Sequence, residues 1–155
     1  MKTTLVISTY NWPEALELVL KSVLKQDFMP DEIIIADDGS KNETKELIQK
    51  FKAILPVPLI HLWHEDNGFQ KAIILNKAIA SATGEYIIQI DGDCILHKNF
   101  VSDHLLRAEY GTYLYGSRVN IKKDFTAKLF EKKQIDFIFL SSGIKNRTRA
   151  IHSNT

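Results

Sequence analysis

Asp91 and Asp93 stand one residue apart at the end of an apolar run, Tyr86-Ile87-Ile88-Gln89-Ile90, with Gly92 between them. Two carboxylates so close repel each other, and a divalent cation relieves that repulsion. Hard cations such as Mg²⁺ and Mn²⁺ take oxygen ligands and are often shared with a substrate phosphate. The glycine lets the backbone turn and approach a ligand closely. Open α/β sheets hold ligands outside the carboxyl ends of their strands, so this segment points to nucleotide-dependent chemistry. Two more polar clusters end apolar runs: Ser8-Thr9-Tyr10-Asn11 after Leu5-Val6-Ile7, and Asp37-Asp38-Gly39-Ser40 after Ile33-Ile34-Ile35-Ala36. Hydrogen-bonding groups beside an aromatic ring suit a base and a ribose. The acidic pair at 91 and 93 suits a cation and the phosphates it carries.

Each cluster also has a plainer explanation. Asp38-Gly39-Ser40 has the composition of an ordinary turn, Tyr10 alone suits packing, and an Asp-x-Asp tripeptide is frequent by chance. Their joint occurrence at neighbouring strand ends is what favours a ligand site. His61 and His64 flank another strand end with no third metal ligand nearby in sequence. They read as structural or surface residues, His64 being the nearer to the site. Cys94 reads as a small buried side chain, because the adjacent acids disfavour its thiolate.

The elements that must position these residues follow from hydrophobic spacing. Strands are expected at Leu5–Ile7, Glu32–Ala36, Leu59–Trp63 and Tyr86–Ile90. Helices are expected from Pro13 to before Pro30, from Asn42 to Ile54 and from about Phe69 to Ser81. The first opens with proline and Glu14, as a helix start should, and carries Leu16, Val19, Leu20, Val23 and Leu24 at helical spacing. The third presents Ile73, Ile74, Leu75, Ala78 and Ile79 as its buried side. Strands alternating with helices imply a parallel sheet with right-handed crossovers, and near-continuous apolar strands imply helices on both sheet faces. The polar ends of strands one, two and four then share one edge. After Cys94 the pattern loosens. A helix is expected from about Asn99 to Tyr110, a fifth strand over Tyr113–Val119, and a helix from Lys122 to Leu140 with Phe125, Leu129, Phe130, Phe137, Ile138 and Leu140 as its apolar positions. The end of the chain is polar and basic, with Lys145, Arg147 and Arg149.

Composition sets outer limits. The 155 residues suit one domain with a real core, and the hydrophobic and charged fractions, 45% and 25%, are ordinary for a globular chain. A net charge of +1 gives no bulk attraction to nucleic acid. The single cysteine excludes an internal disulfide or a Cys-based zinc site and fits a reducing compartment. The N-terminal apolar stretch is too short for a signal peptide and reads as a strand. No run approaches the roughly 20 apolar residues that span a bilayer.

Four segments, in order and spacing over about residues 3 to 120, resemble the family 2 glycosyltransferases of GT-A fold: Leu5-Val6-Ile7-Ser8-Thr9-Tyr10-Asn11, Ala36-Asp37-Asp38-Gly39-Ser40, Asp66-Asn67-Gly68-Phe69 through Asn76-Lys77-Ala78, and Gly84-Glu85-Tyr86 through Asp91-Gly92-Asp93. The resemblance implies a Rossmann-like α/β fold with a mostly parallel central sheet flanked by helices. It implies a nucleotide-diphosphate sugar as donor, most often a UDP-sugar, and a saccharide or lipid-linked acceptor. Ser8 and Tyr10 would border the base. Asp38 would accept a hydrogen bond from uracil, with Asp37 supporting it. Asp91 would contact the ribose or the metal's shell, and Asp93 would ligate Mn²⁺ or Mg²⁺. The family often has Arg where this chain has Gln70, which can donate a hydrogen bond but adds no charge; the neighbouring Lys71 is the candidate replacement.

Family members invert the sugar's stereochemistry in one displacement. A cation stabilises the departing diphosphate, and a carboxylate base takes the acceptor's proton. That base normally lies in a later acidic motif, and none of Asp103, Glu109, Asp124, Glu131 and Asp136 sits in one. The chain therefore reads as a donor-binding part over residues 1–120, with 121–155 as the start of an acceptor-binding part that is otherwise missing, truncated at the C-terminus. The apolar face between Phe125 and Leu140 would be covered by a missing domain, a partner or a membrane surface, the last meaning peripheral membrane association. The implied location is the cytoplasm or the inner face of the membrane, and the implied process is surface polysaccharide or lipopolysaccharide assembly.

Three rivals carry less. A nucleotide-sugar-binding module without turnover would explain the missing base. A nucleotidyltransferase needs a Gly-rich, basic loop after strand one, and Ser8-Thr9-Tyr10-Asn11 is neither. A receiver domain needs a lone aspartate ending strand three, where Trp63-His64-Glu65-Asp66 stands instead, and it leaves Asp91-Gly92-Asp93 without a role.

Overall fold

A computed structural model describes residues 1–133, 135 and 143–146. Strands β1 (Thr3–Thr9), β2 (Glu32–Asp37), β3 (Leu59–Trp63) and β4 (Tyr86–Asp91) form one parallel sheet in the order β3-β2-β1-β4. Helices α1 (Pro13–Leu24), α2 (Asn42–Lys52) and α3 (Lys71–Ser81) connect them. The expected alternation is therefore present. Strands β1, β2 and β4 run further at their polar ends than hydrophobicity indicates, because the backbone ladder continues through Thr9, Asp37 and Asp91.

Alternation along the pleat divides the core in two. Leu5, Ile7, Ile33 and Ile35 face Leu16, Val19, Leu20 and Val23 of α1, Ile48 and Phe51 of α2, and Val101 of a fourth helix, α4 (Phe100–Arg107). Val6, Ile34 and Ala36 face Ile74 and Ala78 of α3. Each such Leu or Ile contributes about 1.5–3 kcal/mol by leaving water, so β1 and β2, buried along their whole length, anchor the fold. The second face is thinner. Ile73 and Ile79, expected on the buried side of α3, are 47% and 42% exposed. The helix meets the sheet along the narrow stripe of Ile74 and Ala78, one turn apart, and these two lie to either side of it. Leu24, at the end of α1, is likewise open to solvent.

The second half departs further from expectation. Tyr113–Val119 forms no strand, and Tyr113 and Tyr115 are exposed. The segment has strand-like side chains, but a strand is made by a partner and none of the described residues pairs with it. Pairing occurs just beyond, where β5 (Asn120–Ile121) meets β6 (Ile144–Lys145) antiparallel. Helix α4 is shorter than the expected 99–110. Helix α5 covers Lys123–Lys132 and stops at Lys133, which is left-handed at φ 48°. The rest of the helix expected up to Leu140, with Phe137 and Ile138, lies outside the described residues, as do Arg147 and Arg149. Helix α5 docks on α1: Leu129 is buried, Phe130 meets Trp12 edge-on, and Lys133 reaches Glu17 at 2.8 Å. Among the described residues, no helix is long and apolar enough to cross a membrane.

Candidate functional site

The chain passes from β1 outward to β2 and β3, then returns across β1 to β4. The direction of winding reverses between β1 and β4, and ligands of open α/β sheets bind at such a reversal. An open cleft of about 240 Å³ lies there, lined by Ser8, Thr9, Tyr10, Trp12, Ala36, Asp38, Phe69, Lys71, Asp91, Gly92 and Asp93.

Register explains the assembly. Ser8 pairs with Ala36 on one side and Asp91 on the other, and Thr9 pairs with Asp37. The acidic ends of β2 and β4 thus flank the hydroxyls of β1. Consecutive aspartates then divide their tasks. Asp37 is fully buried behind the cleft; its Oδ1 accepts the Ser40 N–H at 2.8 Å and its Oδ2 lies 2.8 Å from His61 Nε2. That is the turn-forming task. Asp38 lines the cleft, with Oδ1 2.8 Å from His64 Nε2 and Oδ2 accepting the Gln70 N–H at 3.0 Å. Gly39 makes this closeness possible. Its φ is +95°, and a Cβ there would sit 2.7 Å from the Asp66 backbone, so only glycine lets the β2 loop lie against the loop that carries Gln70.

Tyr10 is fixed by its hydroxyl, which donates to Asp66 at 2.9 Å. This bond to a carboxylate raises the phenol's pKa. Asp66 also accepts the Gly68 N–H at 3.1 Å, which sets the loop before Phe69. The ring of Phe69 is almost wholly exposed at the cleft's rim.

On the β4 side, Asp91 Oδ1 accepts from Ser8 Oγ at 3.0 Å and from Lys71 Nζ at 2.5 Å. The Lys71 ammonium holds the Asp91 carboxyl below the usual carboxylate range against the opposing effect of burial, with the Ser8 bond and the charge of Arg118 acting the same way as Lys71. Asp93 is exposed, and Cys94 Sγ lies 3.5 Å from its Oδ1. Burial first, and then Asp93, push the Cys94 thiol up, as its acidic neighbours lead one to expect. Gly92 sits in the expected turn, closed by the Cys94 N–H donating to Asp91 O at 3.1 Å, and the neighbouring strand adds a second reason for glycine. Its N–H donates to Ser8 O at 2.7 Å, and a Cβ would lie 2.7 Å from that same oxygen. The neighbouring strand by itself excludes a side chain there.

Of the residues singled out in the sequence, Ser8, Tyr10, Asp38, Asp91 and Asp93 meet at the cleft. Asp37 stands behind Asp38. Gln70 reaches the site through its backbone N–H, while its side chain is not part of the lining. His61 and His64 are the partly buried partners of the two aspartates, a structural role that needs no metal. Trp12 and Phe69 also line the cleft. Their signal was an aromatic residue in the loops after β1 and before α3, each beside a polar cluster already noted.

Among the described residues no group of three or more His, Cys, Asp or Glu side chains could hold a metal ion. Of the cleft's three carboxylates, Asp38 is engaged by His64 and Gln70, which leaves Asp91 and Asp93 to offer a cation. So sparse a set of hard oxygen donors fits Mg²⁺ or Mn²⁺ completed by water and substrate phosphates, and does not fit an all-protein cage.

The model of glycosyl transferase family 2 matches residues 4–154. The chain belongs to that family. It is 29% identical over 118 residues to the chondroitin synthase of Escherichia coli, covering 74% of this chain and 17% of that protein. It is 27% identical over 140 residues to the GalNAc(5)-diNAcBac-PP-undecaprenol beta-1,3-glucosyltransferase of Campylobacter jejuni, covering 84% of this chain and 44% of that one. The crystal structure of S. aureus TarS matches with a TM-score of 0.58 at 28% identity, over 68% of this chain and 19% of TarS. A mannosyltransferase of Pyrobaculum calidifontis, solved with GDP-Man and Mn²⁺, shares the fold with a TM-score of 0.61 at 22% identity, over 84% of this chain and 37% of that one. The chain spans less than half the length of each of these proteins. Its fold is the Rossmann-like GT-A fold of the glycosyltransferases.

Proposed function

We propose that the cleft is the donor site of a metal-dependent, inverting glycosyltransferase that uses a UDP-sugar. The observation that carries this is the convergence, at one winding reversal, of a buried acceptor, Asp38, an anchored aromatic, Tyr10, and an open acidic pair, Asp91 and Asp93. In this reading Ser8 and Tyr10 border the base, and Asp38, with Asp37 behind it, accepts from the uracil N–H. His64 and Gln70 fix the direction of the Asp38 oxygens, so a base that places a donor there gains a bond that a differently patterned base does not. Asp91 contacts the ribose or the cation's shell, Gln70 holds Asp38 in place, and Asp93 ligates Mn²⁺ or Mg²⁺. A bound cation would stabilise the charge on the departing diphosphate. At about 240 Å³ the cleft is small beside the roughly 300–1,000 Å³ of ligand pockets in general, so it grips part of a nucleotide sugar and leaves the sugar end in the open. Solved relatives of the same fold hold UDP-GlcNAc, in S. aureus TarS, and GDP-Man with Mn²⁺.

The donor-binding part is residues 1–120, and 121–155 opens the acceptor-binding part. The acceptor is a saccharide or a lipid-linked saccharide, as the Campylobacter relative's undecaprenol-linked name illustrates. A free saccharide acceptor would be met in the cytoplasm, and a lipid-linked one at the inner face of the membrane. The cleft's three carboxylates, Asp38, Asp91 and Asp93, are committed to base and cation, so none of them is assigned the acceptor's proton.

Calorimetry of UDP with and without Mn²⁺, beside GDP, tests the reading. UDP binding strengthened by Mn²⁺ and stronger than GDP binding is the expected result. No UDP binding by a folded sample would overturn the donor site, and a preference for GDP would overturn the uracil assignment alone.

A further inference from the structure

Lys71 is the first residue of α3 and, among the described residues lining the cleft, the one with a positive charge. Its ammonium sits on Asp91 Oδ1, which Ser8 also engages. Both partners are more than one-third exposed, at 34% and 41%. Ion pairs this open contribute little to stability, so the contact is easily exchanged. Asp91 is also one of the two carboxylates that suit a cation. A cation arriving at Asp91 competes with the ammonium for the charge of that carboxylate. Gln70, the residue before Lys71, brings no charge that could neutralise phosphate.

Resting on the donor-site reading above, we propose that Lys71 is the diphosphate-binding side chain of this site, released from Asp91 when a cation takes that carboxylate. A lysine carries three donors on a flexible stem, and the cleft that holds Asp91 and Asp93 is where the phosphates must lie. The exchange keeps charges paired in both states: ammonium on carboxylate without donor, ammonium on phosphate with it. Arg118 is near enough for its charge to act on Asp91 and adds to the same positive field from the segment after α4.

The test compares ligands that differ only in phosphate. Uridine and UDP are titrated by calorimetry, with Mn²⁺ present, into the wild-type chain, Lys71→Met and Lys71→Arg. Lys71→Met should leave uridine affinity unchanged and weaken UDP by roughly ten- to a hundredfold, the size of a lost hydrogen bond to a charged group. Lys71→Arg should restore most of it. Without nucleotide, Lys71→Met should bind Mn²⁺ more tightly than wild type, because Asp91 is freed. If uridine and UDP weaken together, Lys71 only supports the fold of the site and the inference is wrong. Unchanged UDP affinity, or unchanged Mn²⁺ affinity, would overturn the phosphate role or the exchange respectively. A wild-type chain that binds neither uridine nor UDP would overturn the donor-site reading itself, a separate result from a failure specific to Lys71.

Discussion

Asp37 and Asp38 on β2 are buried, and each carboxylate has both oxygens engaged: Asp37 by Ser40 and His61, Asp38 by Gln70 and His64. Asp91 and Asp93, across β1 on β4, are open to solvent, one held by a lysine and the other exposed. Both pairs stand at the same sheet edge and differ in what surrounds them. The β2 pair is fixed before any ligand arrives, which suits recognition of a rigid base. The β4 pair sits among exchangeable charges, which suits a cation and phosphates that come and go. Preorganised polar groups are effective because no reordering is left to do on binding; exchangeable ones let a charged product leave.

The sharpest way to break this contrast is to remove one acid from each pair. Asp37→Ala should destabilise the chain by about 2–3 kcal/mol, since it leaves the buried Ser40 N–H without its acceptor and the partly buried His61 ring without its partner. Urea unfolding would show it, and a loss within about 0.5 kcal/mol, the range of surface substitutions, would mean the β2 pair is no more fixed than the β4 pair. Next in size, Asp38→Ala should weaken uridine binding roughly ten- to a hundredfold, as for a lost charge-assisted hydrogen bond, with or without metal. Were only the metal-dependent part of UDP binding to fall, base recognition would lie elsewhere.

The same contrast governs what was legible in the sequence. Backbone alternation and apolar runs locate β1 to β4, since a strand buried on both faces must be apolar throughout. The polar residues ending those runs are legible for the same reason: their types break the pattern. The partners of Asp37 and Asp38 are not. His61 and His64 lie some 24 and 26 residues further along the chain, and only the β2–β3 pairing brings them near: His61 stands opposite Ile35, diagonal to Asp37 on the same face, and His64 follows the end of β3. Lys71 is similar, for its direction depends on where α3 begins. Tyr113–Val119 misleads because strand propensity describes side chains and a strand needs a neighbour. Ile73 and Ile79 mislead because helical spacing marks an apolar face without saying how much of it is covered.

On the β4 side, Asp93→Ala should abolish the Mn²⁺-dependent gain in UDP affinity and leave stability within about 0.5 kcal/mol, because an exposed carboxylate outside any network contributes little. Retention of the Mn²⁺ effect on UDP would remove Asp93 from the cation site. Its neighbour offers a gentler probe. Cys94 should react slowly with iodoacetamide at neutral pH, since burial and Asp93 raise its pKa, and Asp93→Asn should speed the reaction. An unchanged rate would leave burial as the whole cause.

The smallest effect is the pH dependence of the Lys71–Asp91 pair. The Asp91 pKa is lowered in the folded chain from an ordinary value of 3.8. A carboxyl depressed by folding adds stability above its unfolded pKa and loses it as pH falls through the folded one. Wild type should therefore exceed Asp91→Asn in stability from neutral pH down to about that ordinary value, and the difference should close as acid protonates Asp91. Its size should be under about 1 kcal/mol, as for other exposed ion pairs. Lys71→Met should flatten most of the same pH dependence, and Ser8→Ala should remove a further part, because the Ser8 bond also lowers the Asp91 pKa. A difference that persisted into strong acid would show that Asp91 holds its place by shape and hydrogen bonding, in which case the β4 side would be fixed like the β2 side.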